Sequence, residues 1–377
     1  MKRREQQSKA GAFAASSARH SGEASGRSKE GDVHWEREPI WMPEVQAPAP
    51  VAVLQLTAGR WIAHIIGVAA ELGLADQIQA GPKTAAEIAV ALGLDARPLY
   101  RLFRALVNVG IFAEQEDGRF VQTPMSDALR QDVPYSVRGV ARLINRPQPI
   151  RAWTELEHSV RTGASAFEHV HGMQFFDFLD QHPEEMEIFV EAVGNYTAQI
   201  GTAVAEAYDF SSIRRLAQLG GSSALAILLA KHPAMRGILF DLPTLLESAS
   251  NLLRSHGVED RVELKGGNFF EAVPAGADAY LLQNVLHWWS DEDCVRILRT
   301  VRTAAKLEAK LLVVEEIVET SNEPQFAKTM DVSMLVLTGG RERTHAEWRD
   351  LLRAGGFRLS RAVSTNSFAY VIEGLPN

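Results

Sequence analysis

Residues 214–241 read RRLAQLGGSSALAILLAKHPAMRGILFD, and this stretch decides the fold. A short apolar run ends at Gly220 and Gly221, a helical run follows, and a second apolar run ends at Asp241. A strand, a tight glycine turn, a helix and a further strand form the repeating unit of a parallel sheet. The stretch therefore predicts an α/β domain.

The same alternation continues to the C-terminus. Further strands are predicted in RVELKGGNFF, ADAYLLQNVLH and AKLLVVEEI, with helices in TLLESASNLLRSHG and DEDCVRILRTVRTAAK. A last helix in RTHAEWRDLLRAGGF precedes a pair of terminal strands. Residues 209–377 are thus predicted to form a Rossmann-like, doubly wound sheet.

Residues 51–150 have helical periodicity and predict a winged helix. Thr84 and Glu87 have the spacing of a capping box, and Gly93 ends the helix that they begin. After the next helix, GIFAEQEDGRFVQT reads as a hairpin that turns at 117–118.

A winged helix can bind DNA, and three arginines of its second helix can reach phosphates: Arg97, Arg101 and Arg104. However, apolar residues lie between them, and the chain carries a net charge of −8. We therefore expect a structural or dimerising module and no nucleic-acid partner.

The remaining segments are less specific. Residues 1–50 are rich in small and charged residues and predict a disordered tail without a signal peptide. Residues 151–208 predict a helical connector, in which Phe175 and Phe176 either join the core or line a flat ligand pocket. One cysteine, Cys294, excludes an internal disulfide and fits a reducing cytoplasm. Because no 18-residue window is uninterruptedly apolar, we expect no membrane span.

Ligands of a doubly wound sheet bind beyond the carboxyl ends of its strands. Gly220 and Gly221 permit a close backbone approach to a cofactor, or they simply make a tight turn. Asp241 can accept both hydroxyls of a ribose, or it can cap a helix. Asn268, next to Phe269, can bond an adenine edge.

His287 follows the fourth strand, where an imidazole can act as a general base, although a lone histidine is often structural. Glu315 and Glu342 are candidates to orient that imidazole through a hydrogen bond, or they are solvated carboxylates. The sequence has no histidine and carboxylate cluster with metal-ligand spacing, so no metal is predicted.

Five segments together resemble the plant and bacterial O-methyltransferases that act on phenolic and polyketide hydroxyls: HSVRTGASAFEHVHGMQFFDFL, RGILFDLP, LLQNVLHWWSDED, LLVVEE and MLVLTGGRERTHAEW. The resemblance extends from about Leu54 to the C-terminus. It implies S-adenosylmethionine as cofactor, a homodimer formed through the N-terminal domain, and His287 as the base that deprotonates the acceptor hydroxyl.

The cofactor region departs from the family pattern. The family's glycine loop V-D-V-G-G-G-x-G reads A-Q-L-G-G-S-S-A here, with Gln218 at the acid and Ser222 and Ala224 at two glycines. Three further family positions also differ, and they carry Asn268, Gln283 and Trp288. We expect the new side chains to obstruct the cofactor and to strain any backbone with positive φ.

Three functions are compatible with this pattern. The first is methyl transfer to a hydroxyl of a planar secondary metabolite, with Gly220, Gly221, Asp241, Asn268, Phe269 and Gln283 at the cofactor. The second is a hydroxylase-like or pericyclase-like relative that has lost the cofactor site. The third is a non-catalytic dimer partner.

Overall fold

A computed structural model describes residues 48–377 of the chain. The predicted disordered tail lies outside the described residues, except that the first helix already begins at Ala49. The N-terminal elements run in this order: α1 (Ala49–Glu71), α2 (Leu74–Gln77), α3 (Ala85–Leu92), α4 (Ala96–Asn108), β1 (Phe112–Glu114), β2 (Phe120–Gln122) and α5 (Pro124–Asp127).

The helix–turn–helix and hairpin of the predicted winged helix are present. Thr84 and Glu87 form the capping box of α3, and Gly93 ends that helix in the left-handed conformation. Strands β1 and β2 pair antiparallel through a turn that contains Gly118, with φ of 77°. Phe103 of α4 stacks on Phe120 of β2 and joins the helices to the hairpin.

Helix α1 has a long exposed apolar face. Val53, Leu54, Leu56 and Trp61 are 57–70% exposed, whereas the helix is buried only near its end, at Ala69 and its neighbours. By length and composition alone, α1 is apolar enough to cross a membrane, and it is the single helix within residues 48–377 that passes this test. An apolar surface of this kind marks a contact area for another apolar surface.

Six helices connect the winged helix to the sheet domain, and a seventh follows the first strand of the sheet. They are α6 (Arg138–Leu143), α7 (Pro147–Thr154), α8 (Leu156–Thr162), α9 (Ala166–His171), α10 (Phe175–Gln181), the long α11 (Pro183–Ala207) and, after the first sheet strand, α12 (Ser223–Lys231). Helix α11 packs against both α6 and α12 and so ties the connector to the sheet.

The C-terminal domain contains one sheet of eight strands. These are β3 (Arg215–Leu219), β4 (Arg236–Asp241), β5 (Val262–Gly266), β6 (Ala279–Gln283), β7 (Lys310–Val318), β8 (Arg343–Thr344), β9 (Phe357–Ser364) and β10 (Ala369–Pro376). Their order is β5-β4-β3-β6-β7-β10-β9, and β8 pairs with the end of β7. The strands from β5 to β7 are parallel, and β9 and β10 are antiparallel. The strand order therefore reverses between β3 and β6, which is where a doubly wound sheet binds its ligands.

Helices cover both faces of the sheet, as the alternating pattern predicts. Further helices follow the strands: α13 (Leu246–Ser255), α14 (Asp291–Ala304), α15 (Phe326–Leu337) and α16 (His345–Ala354). The core on one face includes residues of α11, α12 and α13, and the core on the other includes residues of α14 and α16. The strands between them are buried on both faces, so their sequences are almost continuously apolar.

Gly139 provides a test of how α6 and α11 pack. A Cβ at this position would lie 2.7 Å from the backbone N of Ala192 and 2.9 Å from its Cα. Because backbone atoms cannot move aside as a side-chain end can, we expect Gly139→Ala to lower the free energy of unfolding by roughly 1–3 kcal/mol. Urea denaturation would measure this loss.

Gly194→Ala is the matched control, since a Cβ there meets nothing within 4 Å and alanine favours a helix. A Gly139→Ala variant as stable as the Gly194→Ala variant would show that the two helices do not pack this closely.

Candidate active site

The glycine turn after β3 is open to a ligand. Gly220 has φ of 79° and Gly221 has φ of 68°, so both residues use the left-handed region that favours glycine. A Cβ at Gly221 would lie 3.6 Å from Nε2 of Gln218. The backbone of this turn therefore requires glycine at both positions.

Gln218, Ser222 and Ala224, which depart from the family pattern, lie around the glycine turn. Ser222 has φ of −137°, which strains no side chain, and the fully buried Ala224 packs against Gly201 of α11. The Gln218 amide is also buried: its Oε1 accepts from the backbone N of Leu225 at 2.6 Å, and its Nε2 donates to the carbonyl of Gly220 at 3.2 Å. Neither Ser222 nor Ala224 has a positive φ, so the condition for backbone strain is not met at these two positions.

Asp241 connects the end of β4 to the glycine turn. One carboxylate oxygen accepts from the backbone N of Gly221 at 2.9 Å, and the other accepts from Leu242 at 2.8 Å. Burial raises the pKa of Asp241, opposed by these two hydrogen bonds. The carboxylate thus bridges two neighbouring strand ends, as expected for a ribose-binding acid. The alternative role as a helix cap is not seen, since the short helical turn that follows has no side-chain cap.

Of the other three candidate cofactor residues, Asn268 and Phe269 follow β5, and Gln283 ends β6, two strands further along the sheet from β4. Asn268 accepts from the backbone N of Phe270 and so turns the chain after β5, while the carbonyl of Phe269 accepts from Thr300. Gln283, at the end of β6, donates to the carbonyl of Thr197 at 2.7 Å, and its Oε1 is buried without a partner. An orphaned buried acceptor beside a cleft indicates a place for a ligand donor.

His287 lies in a helical turn (Leu286–Trp288) after β6, and the sequence correctly joins it to Glu342. Its Nδ1 is 2.7 Å from Oε1 of Glu342, and its Nε2 is buried without a partner. Gly340 allows the two segments to meet, since a Cβ there would lie 2.1 Å from the carbonyl oxygen of His287. When Nδ1 carries the proton and donates it to Glu342, Nε2 presents a free lone pair.

Glu315 does not bond the imidazole, which corrects the sequence expectation. Its Oε1 accepts three backbone N–H groups, from Val285 at 3.1 Å, Leu286 at 2.6 Å and His287 at 3.2 Å. Glu315 lies on β7, the neighbour of β6, and its carboxylate reaches the backbone N–H groups of the turn that follows β6. Glu315 therefore holds the backbone that carries His287.

Burial dominates the electrostatics of this site. It raises the pKa of Glu315 to about 6 and that of Glu342 to about 8, and it lowers the pKa of His287. Desolvation disfavours charge on each of these groups, although nearby carboxylates oppose the effect at His287. The imidazole is therefore held in its neutral form, which is the form a base requires.

Aromatic rings form a wall beside His287. Trp288 packs against Phe175, Phe176 and Phe189, with ring centroids 5.6–6.1 Å apart, and its ring lies 4.9 Å from that of His287. Phe175 is buried in the core, whereas Phe176 is partly buried. Phe175 is therefore a core residue, and the role of Phe176 as a pocket residue stays a prediction.

His287 and the two acids that contact it, Glu315 and Glu342, are close enough to hold a metal ion. Ligand atoms of His287, Glu315 and Glu342 lie within 4.8 Å of one another, a cluster that sequence spacing did not predict. However, Nδ1 of His287 already pairs with Glu342, and one oxygen of Glu315 already accepts three backbone donors. This donor set is suited to orienting an imidazole and holding a proton.

Sequence reasoning missed three residues of the site. Asn284 has φ of 50° and a buried Oδ1 without a partner, at the point where β6 turns toward His287. Glu316, on β7, accepts from the hydroxyl of Tyr196 on α11 at 2.9 Å. Asn284 could have been identified from the sequence, because it is a polar residue near the end of an apolar strand run. No local pattern predicts the pairing of Tyr196 with Glu316, which are 120 positions apart.

Comparisons with known proteins agree with this arrangement. The O-methyltransferase domain family matches residues 153–358, and the O-methyltransferase dimerisation domain family matches residues 54–132.

Individual relatives match over most of the chain. The phenazine O-methyltransferase of Lysobacter antibioticus is 39% identical over 87% of this chain and 97% of its own length. The mitomycin biosynthesis 6-O-methyltransferase of Streptomyces lavendulae is 39% identical over 84% and 92%. A crystal structure of the O-methyltransferase of neocarzinostatin biosynthesis, with S-adenosylhomocysteine and 1,4-dihydroxy-2-naphthoic acid bound, matches with a TM-score of 0.71 and 31% identity over 84% of this chain and 96% of that one.

Glu316 offers a test of the buried charges. Burial raises its pKa to about 8, so from roughly pH 4.5 to pH 8 the folded carboxyl keeps a proton that the unfolded chain releases. The folded state then binds more protons, and stability falls as the pH rises through this window. We expect Glu316→Gln to remove this contribution, so that the variant gains stability relative to the wild type up to about pH 8.

Urea denaturation at four pH values across the window would measure the difference. Parallel curves for the two proteins would contradict the burial of this carboxyl group.

Proposed function

The chain belongs to the O-methyltransferases that act on small molecules with S-adenosylmethionine, and on that premise we propose that it methylates a hydroxyl of a planar aromatic metabolite, with His287 as general base. The observation that carries the proposal is the unpartnered, buried Nε2 of His287, whose Nδ1 is fixed by Glu342.

The residues around the glycine turn fit the cofactor. Gly220 and Gly221 keep the backbone open, and Asp241 bonds the turn from the adjacent strand, where its carboxylate is in place for ribose hydroxyls. Gln283 adds a buried acceptor without a partner. S-adenosylmethionine, when bound, supplies an electrophilic methyl group and a positive charge. The departures from the family pattern leave this site usable, because Gln218 and Ala224 are buried behind the turn.

The base acts through its neighbours. The positive charge of a bound cofactor would lower the pKa of Glu342. The ionised carboxylate then accepts a hydrogen bond from the N–H at Nδ1 of His287. Nε2 is placed to take the proton of the acceptor hydroxyl. S-adenosylmethionine, when bound, would supply the methyl group for that oxygen, with S-adenosylhomocysteine as the leaving group. Glu315 keeps His287 in place by holding three amides of its turn. Much of the rate enhancement comes from this alignment.

The aromatic wall indicates the acceptor. Phe176, Phe189 and Trp288 form an apolar surface next to the base, which suits a flat ring. Relatives named for phenazine, mitomycin and naphthoate chemistry support a planar secondary metabolite as substrate. Metal is not required by this mechanism.

We further propose that the enzyme is a cytoplasmic homodimer. The exposed apolar face of α1 lies within and beside the segment that matches the dimerisation domain, and a second copy would cover it. The single cysteine, Cys294, is buried and forms no disulfide, which suits a reducing compartment.

Replacing the base tests the chemistry. We expect His287→Ala to reduce kcat by roughly 10²- to 10⁴-fold, because a positioned general base contributes about this factor. The assay is transfer of a labelled methyl group from S-adenosylmethionine to a panel of hydroxylated phenazines and naphthoates. His256→Ala, at an exposed histidine, is the control. Equal loss in both variants, or none in His287→Ala, would contradict the role of His287.

Replacing Asp241 tests the cofactor site. We expect Asp241→Asn to weaken S-adenosylhomocysteine binding by about 10- to 100-fold, since a hydrogen bond to a charged group contributes roughly 1.5–3 kcal/mol. Calorimetry would measure this, with the exposed Asp260→Asn as control. If wild-type protein binds no S-adenosylhomocysteine and converts an acceptor without cofactor, the non-methylating alternative is correct instead.

A further inference from the structure

Two consecutive acids of β7, Glu315 and Glu316, contact elements on different faces of the sheet. Successive side chains of a strand point to opposite faces. Glu315 points to the His287 turn, whereas Glu316 points to α11, and the mechanism above uses only the first. Glu316 thus remains as a buried acid without an assigned task.

Glu316 is buried without a cation. Its side chain is 2% exposed, and its single recorded hydrogen bond is the one from Tyr196 at 2.9 Å. No ion pair within residues 48–377 involves it. A buried carboxylate is costly unless a partner neutralises it, and a phenol hydroxyl brings no charge.

The surroundings place Glu316 in the proposed methyl-transfer cleft. Tyr196 is followed by Thr197, whose carbonyl accepts from Gln283 at 2.7 Å and whose hydroxyl lies 3.2 Å from that of Ser223, just after the glycine turn. One turn of α11 therefore contacts the ends of β6 and β7 and the start of α12. Glu316 also interacts electrostatically with His287.

A second acceptor lies at the same turn of α11. Oε1 of Gln283 is buried without a partner, and the residue is 4% exposed. Among the described residues, the Gln283 oxygen has no donor, and Glu316 has a phenol donor but no cationic partner. An amino group offers several N–H donors and, when protonated, the missing positive charge.

We propose that Glu316, oriented by Tyr196, and the amide oxygen of Gln283 bind an amino group of a ligand in this cleft. This inference rests on the proposed function, because the cleft is taken to hold both cofactor and acceptor. The amino group belongs either to the amino-acid end of the cofactor or to an amino substituent of the acceptor ring. Glu316 is then a binding residue, and Tyr196 is a positioning residue.

Glu316→Gln keeps the shape of the side chain and removes its charge, so it is the main variant. Two pairs of probes are titrated into it and into wild-type protein, with calorimetry for the first pair and tryptophan fluorescence for the second. The first pair is S-adenosylhomocysteine and 5′-methylthioadenosine, which lacks the ammonium group. The second pair is 2-aminophenol and catechol. Glu319→Gln, an exposed acid three residues further on, is the control.

We expect Glu316→Gln to weaken binding of one amino probe by about 10- to 100-fold and to leave its amino-free partner unchanged. Weakening of S-adenosylhomocysteine alone assigns the amino group to the cofactor, and weakening of 2-aminophenol alone assigns it to the acceptor. Tyr196→Phe should produce a smaller loss for the same probe, since it removes only the orienting hydroxyl.

Equal effects within each pair, or no effect at all, would overturn the proposal. If wild-type protein binds neither nucleoside, the proposed cofactor has failed, and the 2-aminophenol and catechol titrations still decide the role of Glu316. Circular dichroism of each variant would establish that it is folded.

Discussion

One carboxylate oxygen organises the centre of this protein. Oε1 of Glu315 accepts the N–H groups of three consecutive residues, Val285 to His287, and fixes the turn at the end of β6. Because this turn is fixed, the imidazole has one direction in which to point, and Gly340 lets the segment with Glu342 approach it. The orientation of the His287 ring therefore depends on a carboxylate that bonds the backbone of this residue and not its imidazole.

The cost of this arrangement is a concentration of buried acids. Glu315, Glu316 and Glu342 lie near His287, and burial raises the pKa of each carboxyl group. Such a site favours ligands that bring positive charge, since a nearby cation restores the ionised carboxylates. A sulfonium cofactor has this property. Its positive charge would stabilise the ionised form of these buried acids and so offset part of the cost of burying them.

The sequence predicts the fold well, because the order of strands and helices follows from apolar runs and glycine turns. It also places Asp241 and the glycine turn at the same edge of the sheet, since parallel strands end at one edge, but the hydrogen bond between them appears only in the structure. It does not predict the backbone conformation at Ser222 and Ala224, because residue types alone do not specify the φ angles of a turn. It misses Glu316, because its partner Tyr196 is distant in the chain and only the packing of α11 brings them together.

The proposed function depends on one property of the glycine turn, namely that it can bind S-adenosylmethionine. A crystal structure with S-adenosylhomocysteine would test it most directly. We predict ligand density between the turn at Gly220 and Gly221 and the carboxylate of Asp241, with the Gln218 amide still bonded beneath the turn. A cleft closed by protein side chains, with no ligand at saturating concentration, would contradict the account.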